Sequence, residues 1–318
     1  MKIVFADADT LGKDIPLEAF KNLGEVVLYG HTKQHELKER CEGADAVITN
    51  KVCISESSLG DNPSIKFVGI TATGTNIVDF EYTRKHNITV TNVKGYSTHS
   101  VAQHTFALLF YLMEKSHYYD NYVKSEKYVN DTLFTHFENT FYELYGKTWG
   151  IVGLGDIGKQ VAKIAESFGC KVIYYSTSGK NHNPDFTQVD FKTLLESSDI
   201  VSIHAPLTPQ TDKLFDAEAF THMKASSILI NVGRGPIIDE QALYDALVEN
   251  RIAAAGLDVL SVEPMAADNP LVQFKDSNRL IITPHIAWAT LEARTRLMQE
   301  VYKNLEAFMH GEERNIVR

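Results

Sequence analysis

The chain has 318 residues, and because single domains usually span about 100 to 200 residues, two domains are expected. Hydrophobic residues make up 44% and charged residues 23%, a composition that excludes a mainly disordered chain. The 41 acidic and 31 basic residues give a net charge of −10, which argues against nucleic acid and anionic membranes as partners.

The cysteines and the apolar runs bear on the cellular compartment. Cys41, Cys53 and Cys170 lie far apart and form no CxxC pair, so the sequence indicates neither a disulfide framework nor a metal site. The apolar run at residues 106–113 is too short to span a bilayer, and the N-terminal stretch is too short for a signal peptide. We therefore expect a cytoplasmic protein.

The first hundred residues alternate between short apolar segments and helical patterns. Strands are predicted at residues 2–6, 46–49, 67–71 and 89–93, with helices between them at 17–22 and 34–41. This alternation indicates a parallel sheet with helices on its faces. Residues 101–114 then form a predicted helix that is apolar nearly all round and therefore buried.

Residues 115–146 are rich in aromatic and polar side chains and do not follow the strand–helix pattern. This stretch is interpreted as an arm, a subunit contact, a cover over a cleft or an internal wall.

A second alternating series begins at Thr148. Its predicted strands are residues 148–152, 171–175, 200–205, 227–231, 253–259 and 280–283. Its predicted helices are residues 158–168, 191–195, 217–222, 240–249 and 290–311. The fold class predicted from the whole pattern is therefore α/β, with two parallel sheets flanked by helices.

A G-x-G-x-x-G sequence follows the strand at 148–152 and opens a helix, which is the context that dinucleotide binding requires. Gly153 permits the tight turn, Gly155 lets a pyrophosphate approach the backbone, and Gly158 lets the helix pack against the strand. The free N–H groups of the helix start, which includes Asp156 and Ile157, would bind the phosphates.

The end of the next strand departs from the pattern of NAD-binding proteins. An acidic residue is expected there to bind the ribose hydroxyls, but the residues present include Ser176, Thr177, Ser178 and Lys180. These side chains suit the 2′-phosphate of NADP(H), while NAD(H) held through Ser176 is the alternative. The cofactor is therefore predicted as NAD(H) or NADP(H), with a slight preference for NADP(H).

Three later segments place polar residues just after predicted strands. Arg234 follows the strand at 227–231, Glu263 follows that at 253–259, and His285 follows that at 280–283. An arginine binds a carboxylate through two parallel hydrogen bonds, and a histidine exchanges a proton near neutral pH. A carboxylate beside that histidine stabilises its protonated form. With a nicotinamide cofactor, the set suits hydride transfer at a 2-hydroxy or 2-oxo acid.

The sequence resembles the D-2-hydroxyacid dehydrogenase family, which includes D-lactate and glycerate dehydrogenases (hydroxypyruvate reductases). The resemblance covers essentially the whole chain and rests on the glycine motif and the ordered Arg, Glu and His segments. It implies a flavodoxin-like substrate domain at residues 1–99 plus 286–318, with a Rossmann cofactor domain at 100–285 inserted into it. It also implies a homodimer formed through the segment that includes residues 115–146.

The resemblance implies roles for individual residues. The catalytic residues would be Arg234 for the substrate carboxylate, His285 as the general acid/base and Glu263 as its partner. The substrate side would include Thr73, Gly74, Tyr96 and Trp288. The cofactor side would include the glycine motif, the segment 176–180, Val101, His204, Ala205, Pro206, Thr211, Val232, Gly233 and Asp258. Gln103 stands where many relatives carry Glu.

Small 2-oxo acids fit this site best, with hydroxypyruvate, glyoxylate and pyruvate as the expected substrates. Two alternatives stay open at this point. A corepressor-like protein that senses nicotinamide cofactors would share the motifs, and a dehydrogenase for a different reaction, such as phosphite oxidation or reduction of a larger 2-oxo acid, would share the site.

Overall fold

The computed structural model describes all 318 residues, which divide into two compact units. The first unit contains Met1–Ser97 and Ala289–Arg318, and the second contains Thr98–Trp288. No helix combines the length and the apolar character needed to cross a membrane.

The β-strands are as follows. They are β1 (Lys2–Phe5), β2 (Glu25–Leu28), β3 (Ala46–Thr49), β4 (Phe67–Ile70), β5 (Thr89–Thr91), β6 (Thr148–Val152), β7 (Lys171–Tyr175), β8 (Thr187–Gln188), β9 (Ile200–Ile203), β10 (Ile228–Asn231), β11 (Ala254–Leu257) and β12 (Leu280–Ile282).

The α-helices are as follows. They are α1 (Leu37–Arg40), α2 (Glu56–Leu59), α3 (Phe80–Lys85), α4 (Thr98–Met113), α5 (Ser116–Lys124), α6 (Asp156–Ser167), α7 (Phe191–Ser197), α8 (Ala217–His222), α9 (Glu240–Val248) and α10 (Leu291–Met309). Short 3₁₀ helices lie at Ala8–Leu11, Glu18–Asn22, Gln34–Glu36, Tyr128–Asn130, Gly235–Ile237 and Pro270–Gln273.

The first unit is built on a five-stranded sheet in the order β2-β1-β3-β4-β5, with every pair parallel. This is the strand order of flavodoxin-like sheets. Strands β1, β3 and β4 are buried because they carry apolar residues on both faces, as parallel sheets require. Helix α10 belongs to this unit and packs against β4.

The second unit is built on a seven-stranded parallel sheet in the order β12-β11-β10-β9-β6-β7-β8. Read from β6, this is the doubly wound order of Rossmann folds, with one strand added at the edge. The predicted α/β class with two parallel sheets is therefore confirmed.

Neighbouring residues along the strands of this sheet enter two separate cores. Ile200 and Ile230 pack with α4 and α6, whereas Val201 and Leu229 pack with α7, α8 and α9. Both faces are covered because side chains alternate across a strand. This explains why the strands read as unbroken apolar runs rather than as alternating patterns.

The structure differs from the sequence-based elements at two edge strands and in the early helices. Strand β2 was not predicted because it is a short edge strand with partly exposed side chains. Strand β8 has only two residues, both exposed. The predicted helix at 17–22 is a 3₁₀ helix, and the one at 34–41 combines a 3₁₀ turn with α1.

The aromatic stretch 115–146 contains α5 and a 3₁₀ turn followed by irregular chain. None of the residues of α5 is buried. Several rings pack on one another, including Tyr122 and His136, which stack with centroids 3.7 Å apart. Other apolar side chains point to solvent, with Phe134 90% and Phe137 75% exposed.

Candidate active site

The carboxyl ends of five strands form one row across the second sheet. The register pairs Val152 with Ile203, Ile203 with Asn231, Asn231 with Leu257, and Leu257 with Ile282. Because all these strands are parallel, the residues that follow them emerge at the same edge. That edge presents the following predicted site residues: Gly153, His204, Ala205, Val232, Gly233, Arg234, Asp258 and His285.

The glycine motif has the backbone that a pyrophosphate requires. Gly153 has φ +91°, and a Cβ there would lie 2.9 Å from the backbone of Ala205. A Cβ on Gly158 would lie 2.4 Å from the carbonyl oxygen of Gly153, so helix α6 could not pack as closely. At Gly155 a Cβ would meet nothing within 4 Å, so the space beside the helix start is open.

The first turn of α6 leaves donors for an anion. Gly155 is the N-cap and has no side chain to cap the helix, so Asp156 and Ile157 begin a turn without side-chain capping. The helix dipole adds a positive end at this point. Together with the open space at Gly155, this arrangement fits the phosphates of a dinucleotide.

His204 provides a buried polar atom without a partner. Its Nε2 lies 2.9 Å from the Ser202 hydroxyl, which accepts a hydrogen bond from Trp149 Nε1 at 2.8 Å. Its Nδ1 has no hydrogen-bond partner within the protein. Burial lowers the pKa of His204 to about 3, so the ring is neutral at pH 7.

The turn that follows His204 is held by Thr211. The Thr211 hydroxyl donates to the carbonyl oxygen of Pro206 at 2.7 Å and accepts from the N–H of Thr208 at 2.8 Å. These bonds fix the shape of the segment that resembles the cofactor loop. Val101 lies near the start of α4 and is buried in the same core as Val232.

The segment after β7 carries hydroxyl groups and one cation. Ser176 is buried, and its hydroxyl accepts from the N–H of Asn181 at 3.3 Å. Thr177 is half-buried, whereas Ser178 and Lys180 are exposed. No acidic side chain is present among residues 176–182.

Arg234 is positioned by Asn231, the last residue of β10. The buried Asn231 amide accepts from the N–H of Gly233 at 3.0 Å and donates to the carbonyl oxygen of Arg234 at 3.0 Å. The Arg234 guanidinium is exposed and donates to the carbonyl oxygen of Gly233 at 2.8 Å. A Cβ on Gly235 would lie 1.9 Å from the carbonyl carbon of Leu260, so only glycine permits this approach.

Glu263 and His285 form a direct pair. Glu263 Oε2 lies 2.7 Å from His285 Nδ1, and its Oε1 accepts from the N–H of Leu260 at 3.0 Å. Both carboxylate oxygens of Glu263 therefore have a hydrogen-bond partner. Because Nδ1 faces Glu263, Nε2 is the ring nitrogen left for proton exchange with a substrate.

His285 has a left-handed backbone conformation with φ 55°. Such a conformation costs a non-glycine residue about 1 to 2 kcal/mol, so surrounding bonds must hold it. The N–H of His285 donates to the carbonyl oxygen of Asp258 at 2.8 Å. The next two N–H groups, of Ile286 and Ala287, donate to the Asp258 carboxylate at 2.9 and 2.8 Å.

Asp258 is a buried carboxylate with several donors. Thr283 donates its hydroxyl to Asp258 Oδ1 at 2.5 Å, and His104 Nε2 lies 3.4 Å from the same oxygen. Burial by itself would raise the pKa of Asp258. The hydrogen bonds from His104, Thr283 and the two N–H groups outweigh burial and keep this pKa below its ordinary value.

Of the residues expected on the substrate side, Thr73, Gly74 and Tyr96 belong to the first unit and Trp288 belongs to the second. Thr73 and Gly74 lie in the loop after β4, where the Thr73 hydroxyl donates to the carbonyl oxygen of Val93 at 2.8 Å. Tyr96 is buried in the same unit, and its carbonyl oxygen accepts from Arg296 at 3.1 Å. Trp288 ends the second unit and packs partly buried against its core.

Sequence reasoning missed the residues that hold the site together. Asn231 fixes the Arg234 loop, while His104 and Thr283 bind Asp258. Asn231 carried a usable signal, since it is a polar residue ending an apolar strand at an edge where ligands bind. His104 carried none, because its partners lie more than 150 residues away in sequence.

We predict that Asp258→Asn lowers the free energy of unfolding by about 3 kcal/mol, because an amide NH₂ would face backbone N–H donors in a buried place. The folded pKa of Asp258 lies below its unfolded value of about 3.9, so its contribution is present above about pH 4 and is lost as the pH falls through the folded pKa. Urea unfolding should give a constant difference between wild type and variant at pH 5 to 8 that shrinks on further acidification. A difference independent of pH down to acid unfolding would contradict this.

Comparisons with known proteins identify the family to which this chain is similar. The family model "D-isomer specific 2-hydroxyacid dehydrogenase, NAD binding domain" matches residues 106–287. The hydroxypyruvate reductase of Blautia hydrogenotrophica is 38% identical over 100% of this chain and 99% of its own length. The glycerate dehydrogenase of Methylorubrum extorquens is 37% identical over 99% of this chain and 98% of its own.

A solved structure agrees with these matches. The D-lactate dehydrogenase of Aquifex aeolicus, complexed with NAD and lactic acid, has a TM-score of 0.83 and 29% identity, and the match covers 98% of this chain and 96% of that one. The chain therefore belongs to the D-isomer specific 2-hydroxyacid dehydrogenase family and is an oxidoreductase that uses a nicotinamide cofactor.

Proposed function

We propose that this protein reduces a small 2-oxo acid at C2 to the 2-hydroxy acid, in the D configuration where C2 becomes a stereocentre, with hydroxypyruvate or glyoxylate as the first candidates and pyruvate as the next. The observation that carries the proposal is the Glu263–His285 pair, with 2.7 Å between Oε2 and Nδ1. The relatives named for hydroxypyruvate and glycerate support the same substrate class, since they match nearly the whole chain.

His285 is proposed as the general acid. Glu263 occupies Nδ1, so the proton that moves to the substrate's carbonyl oxygen is held on Nε2 of His285. Glu263 balances the positive charge of the protonated ring and fixes its orientation. In the oxidation direction, the same Nε2 accepts the hydroxyl proton.

The substrate carboxylate is proposed to bind Arg234. Its guanidinium offers paired N–H donors to a carboxylate, and Asn231 holds the backbone that carries it. The family resemblance adds Thr73 and Gly74 as carboxylate ligands, and Tyr96 and Trp288 as residues near C3. Fixed donors beside the carbonyl oxygen would stabilise the negative charge that develops there.

The glycine motif and the row of strand ends are proposed to hold the cofactor. A bound nicotinamide supplies the hydride in reduction and accepts it in oxidation. The N–H groups at the start of α6 bind the phosphates, and the loops after β9 and β10 line the remainder of the site. The family resemblance implies that Asp258 lies near the carboxamide of the nicotinamide.

We predict that His285→Gln lowers kcat about 1,000-fold with little change in KM, because proton transfer is lost while carboxylate binding stays. Arg234→Gln should lower kcat/KM by at least about 100-fold, mostly through KM. Steady-state oxidation of the reduced cofactor with hydroxypyruvate measures both.

The exposed residues His310 and Arg251 supply matched controls, since neither belongs to the proposed site. His310→Gln and Arg251→Gln should keep wild-type kinetics. If His285→Gln retained more than a tenth of wild-type kcat, the assignment of the general acid would be wrong.

Cofactor choice is proposed to depend on the segment after β7. Ser178 and Lys180 are exposed beside the buried Ser176, and no acidic group there repels a 2′-phosphate. We therefore propose that the protein accepts both cofactors and favours NADPH.

Lys180→Asp is predicted to raise KM for NADPH about tenfold while KM for NADH changes less than about twofold, since an introduced carboxylate repels the 2′-phosphate. Initial rates with the two cofactors provide the measurement. Lys171→Asp, at the opposite end of β7, is the control with the same charge change. Equal effects of Lys180→Asp on both cofactors would show that this segment does not bind the 2′-phosphate.

A homodimer is proposed on the exposed apolar side chains of the 115–146 stretch. Phe134, Phe137 and Tyr145 are 90%, 75% and 77% exposed, and large exposed apolar patches are typical of interfaces.

Three free cysteines support the further proposal of a cytoplasmic location, where thiols stay reduced.

Sedimentation equilibrium is expected to give twice the chain mass for the wild type, and a lower average mass for Phe134→Ser combined with Phe137→Ser, because both substitutions remove apolar surface from the interface. Val248→Ser removes an exposed apolar side chain at the end of α9, outside the 115–146 stretch, and should leave the mass unchanged. A wild-type monomer at micromolar concentration would contradict the dimer.

A further inference from the structure

We infer that His104 on helix α4 is a positioning residue that holds the His285 segment in its active conformation. The inference rests on the proposed role of His285 as the general acid. Ser100 and His104 lie one helical turn apart on α4, so they share a face. Both contact the segment 283–287: the Ser100 hydroxyl donates to the carbonyl oxygen of Ala287 at 2.5 Å, and His104 reaches Thr283.

The donors and acceptors around His104 can be assigned from the distances. The Thr283 hydroxyl donates its single proton to Asp258 Oδ1 at 2.5 Å. Its oxygen therefore accepts from His104, whose Nε2 lies 3.0 Å away. The same Nε2 is 3.4 Å from Asp258 Oδ1, so its proton is directed at both oxygens. His104 thus carries a proton on Nε2.

This bond is connected to His285 through Asp258. The Asp258 carboxylate accepts the N–H groups of Ile286 and Ala287, and its carbonyl oxygen accepts the N–H of His285. His285 itself has the left-handed φ of 55°. The donor on His104 therefore holds the carboxylate that in turn holds the two N–H groups directly after His285, while the main-chain carbonyl oxygen of the same Asp258 holds the N–H of His285.

Loss of the His104 donor would leave the buried Asp258 carboxylate with one fewer partner. The segment would then open more often, and the Glu263–His285 pair would form in a smaller fraction of molecules. The Arg234 loop is held separately by Asn231, so binding of the substrate carboxylate would change little. The expected signature is a fall in kcat without a matching rise in KM.

Two variants with amide side chains at position 104 test whether a donor must lie where His104 Nε2 lies. The terminal nitrogen of glutamine can occupy the position of His104 Nε2, whereas the shorter asparagine cannot reach it. Both variants are neutral and polar, so they differ mainly in reach. We expect His104→Asn to lower kcat about tenfold with KM for hydroxypyruvate changed less than about threefold, and His104→Gln to keep at least about half of wild-type kcat.

Hydrogen exchange of the cofactor-free protein gives a readout that does not depend on turnover. Peptides covering residues 283–288 should exchange at least about fivefold faster in His104→Asn than in the wild type, and at nearly the wild-type rate in His104→Gln. His222 lies on α8 in the same unit and contacts neither Asp258 nor the segment, so His222→Asn is the matched control for both readouts.

The outcomes separate this inference from the proposed function. Equal kcat and equal exchange in the Asn and Gln variants would overturn the role of His104, whatever the substrate. A second outcome is that the wild type reduces none of the 2-oxo acids while His104→Asn still exchanges faster. The faster exchange would then support the positioning role of His104, and the missing turnover would refute the proposed function. Should His104→Asn fail to fold, Thr283→Val removes the hydroxyl that accepts from His104. This variant should show both the lower kcat and the faster exchange, whereas Thr283→Ser, which keeps the hydroxyl, should show neither.

Discussion

The site depends on the register of one parallel sheet. Val152, Ile203, Asn231, Leu257 and Ile282 lie in a single row, so five loops leave the sheet side by side. Each loop carries groups of different chemistry, from the glycine turn to the arginine and the histidine. Since side chains alternate across a strand, a shift of one residue in any pair would move its last side chain to the opposite face. The two cores that bury both faces of the sheet therefore also fix the site.

A second constraint is the charge on Asp258. A buried carboxylate is stable only with enough donors, and here Thr283, His104 and two backbone N–H groups supply them. The same bonds hold His285 in a backbone conformation that it would otherwise avoid. One buried charge thus maintains the strained segment, and Glu263 then orients the ring from the exposed side.

The sequence was sufficient for the fold class and for naming the candidate site residues, and insufficient for the residues that hold them in place. Apolar runs predicted the buried strands β3, β6 and β7 with the observed ends, because full burial leaves a strong pattern. The exposed edge strand β2 was missed because packing imposes no such pattern on it. Arg234, Glu263 and His285 were found from short motifs after strands. His104 was not, since only the folded chain brings α4 beside Thr283.

The most direct test of the proposed function is to incubate the wild-type protein with NADPH or NADH and hydroxypyruvate and to identify the product by chiral chromatography. We expect oxidation of the cofactor with formation of the D-hydroxy acid in equal amount. A protein that binds the cofactor but oxidises it with none of hydroxypyruvate, glyoxylate and pyruvate, or that forms the L-hydroxy acid, would contradict the proposed function.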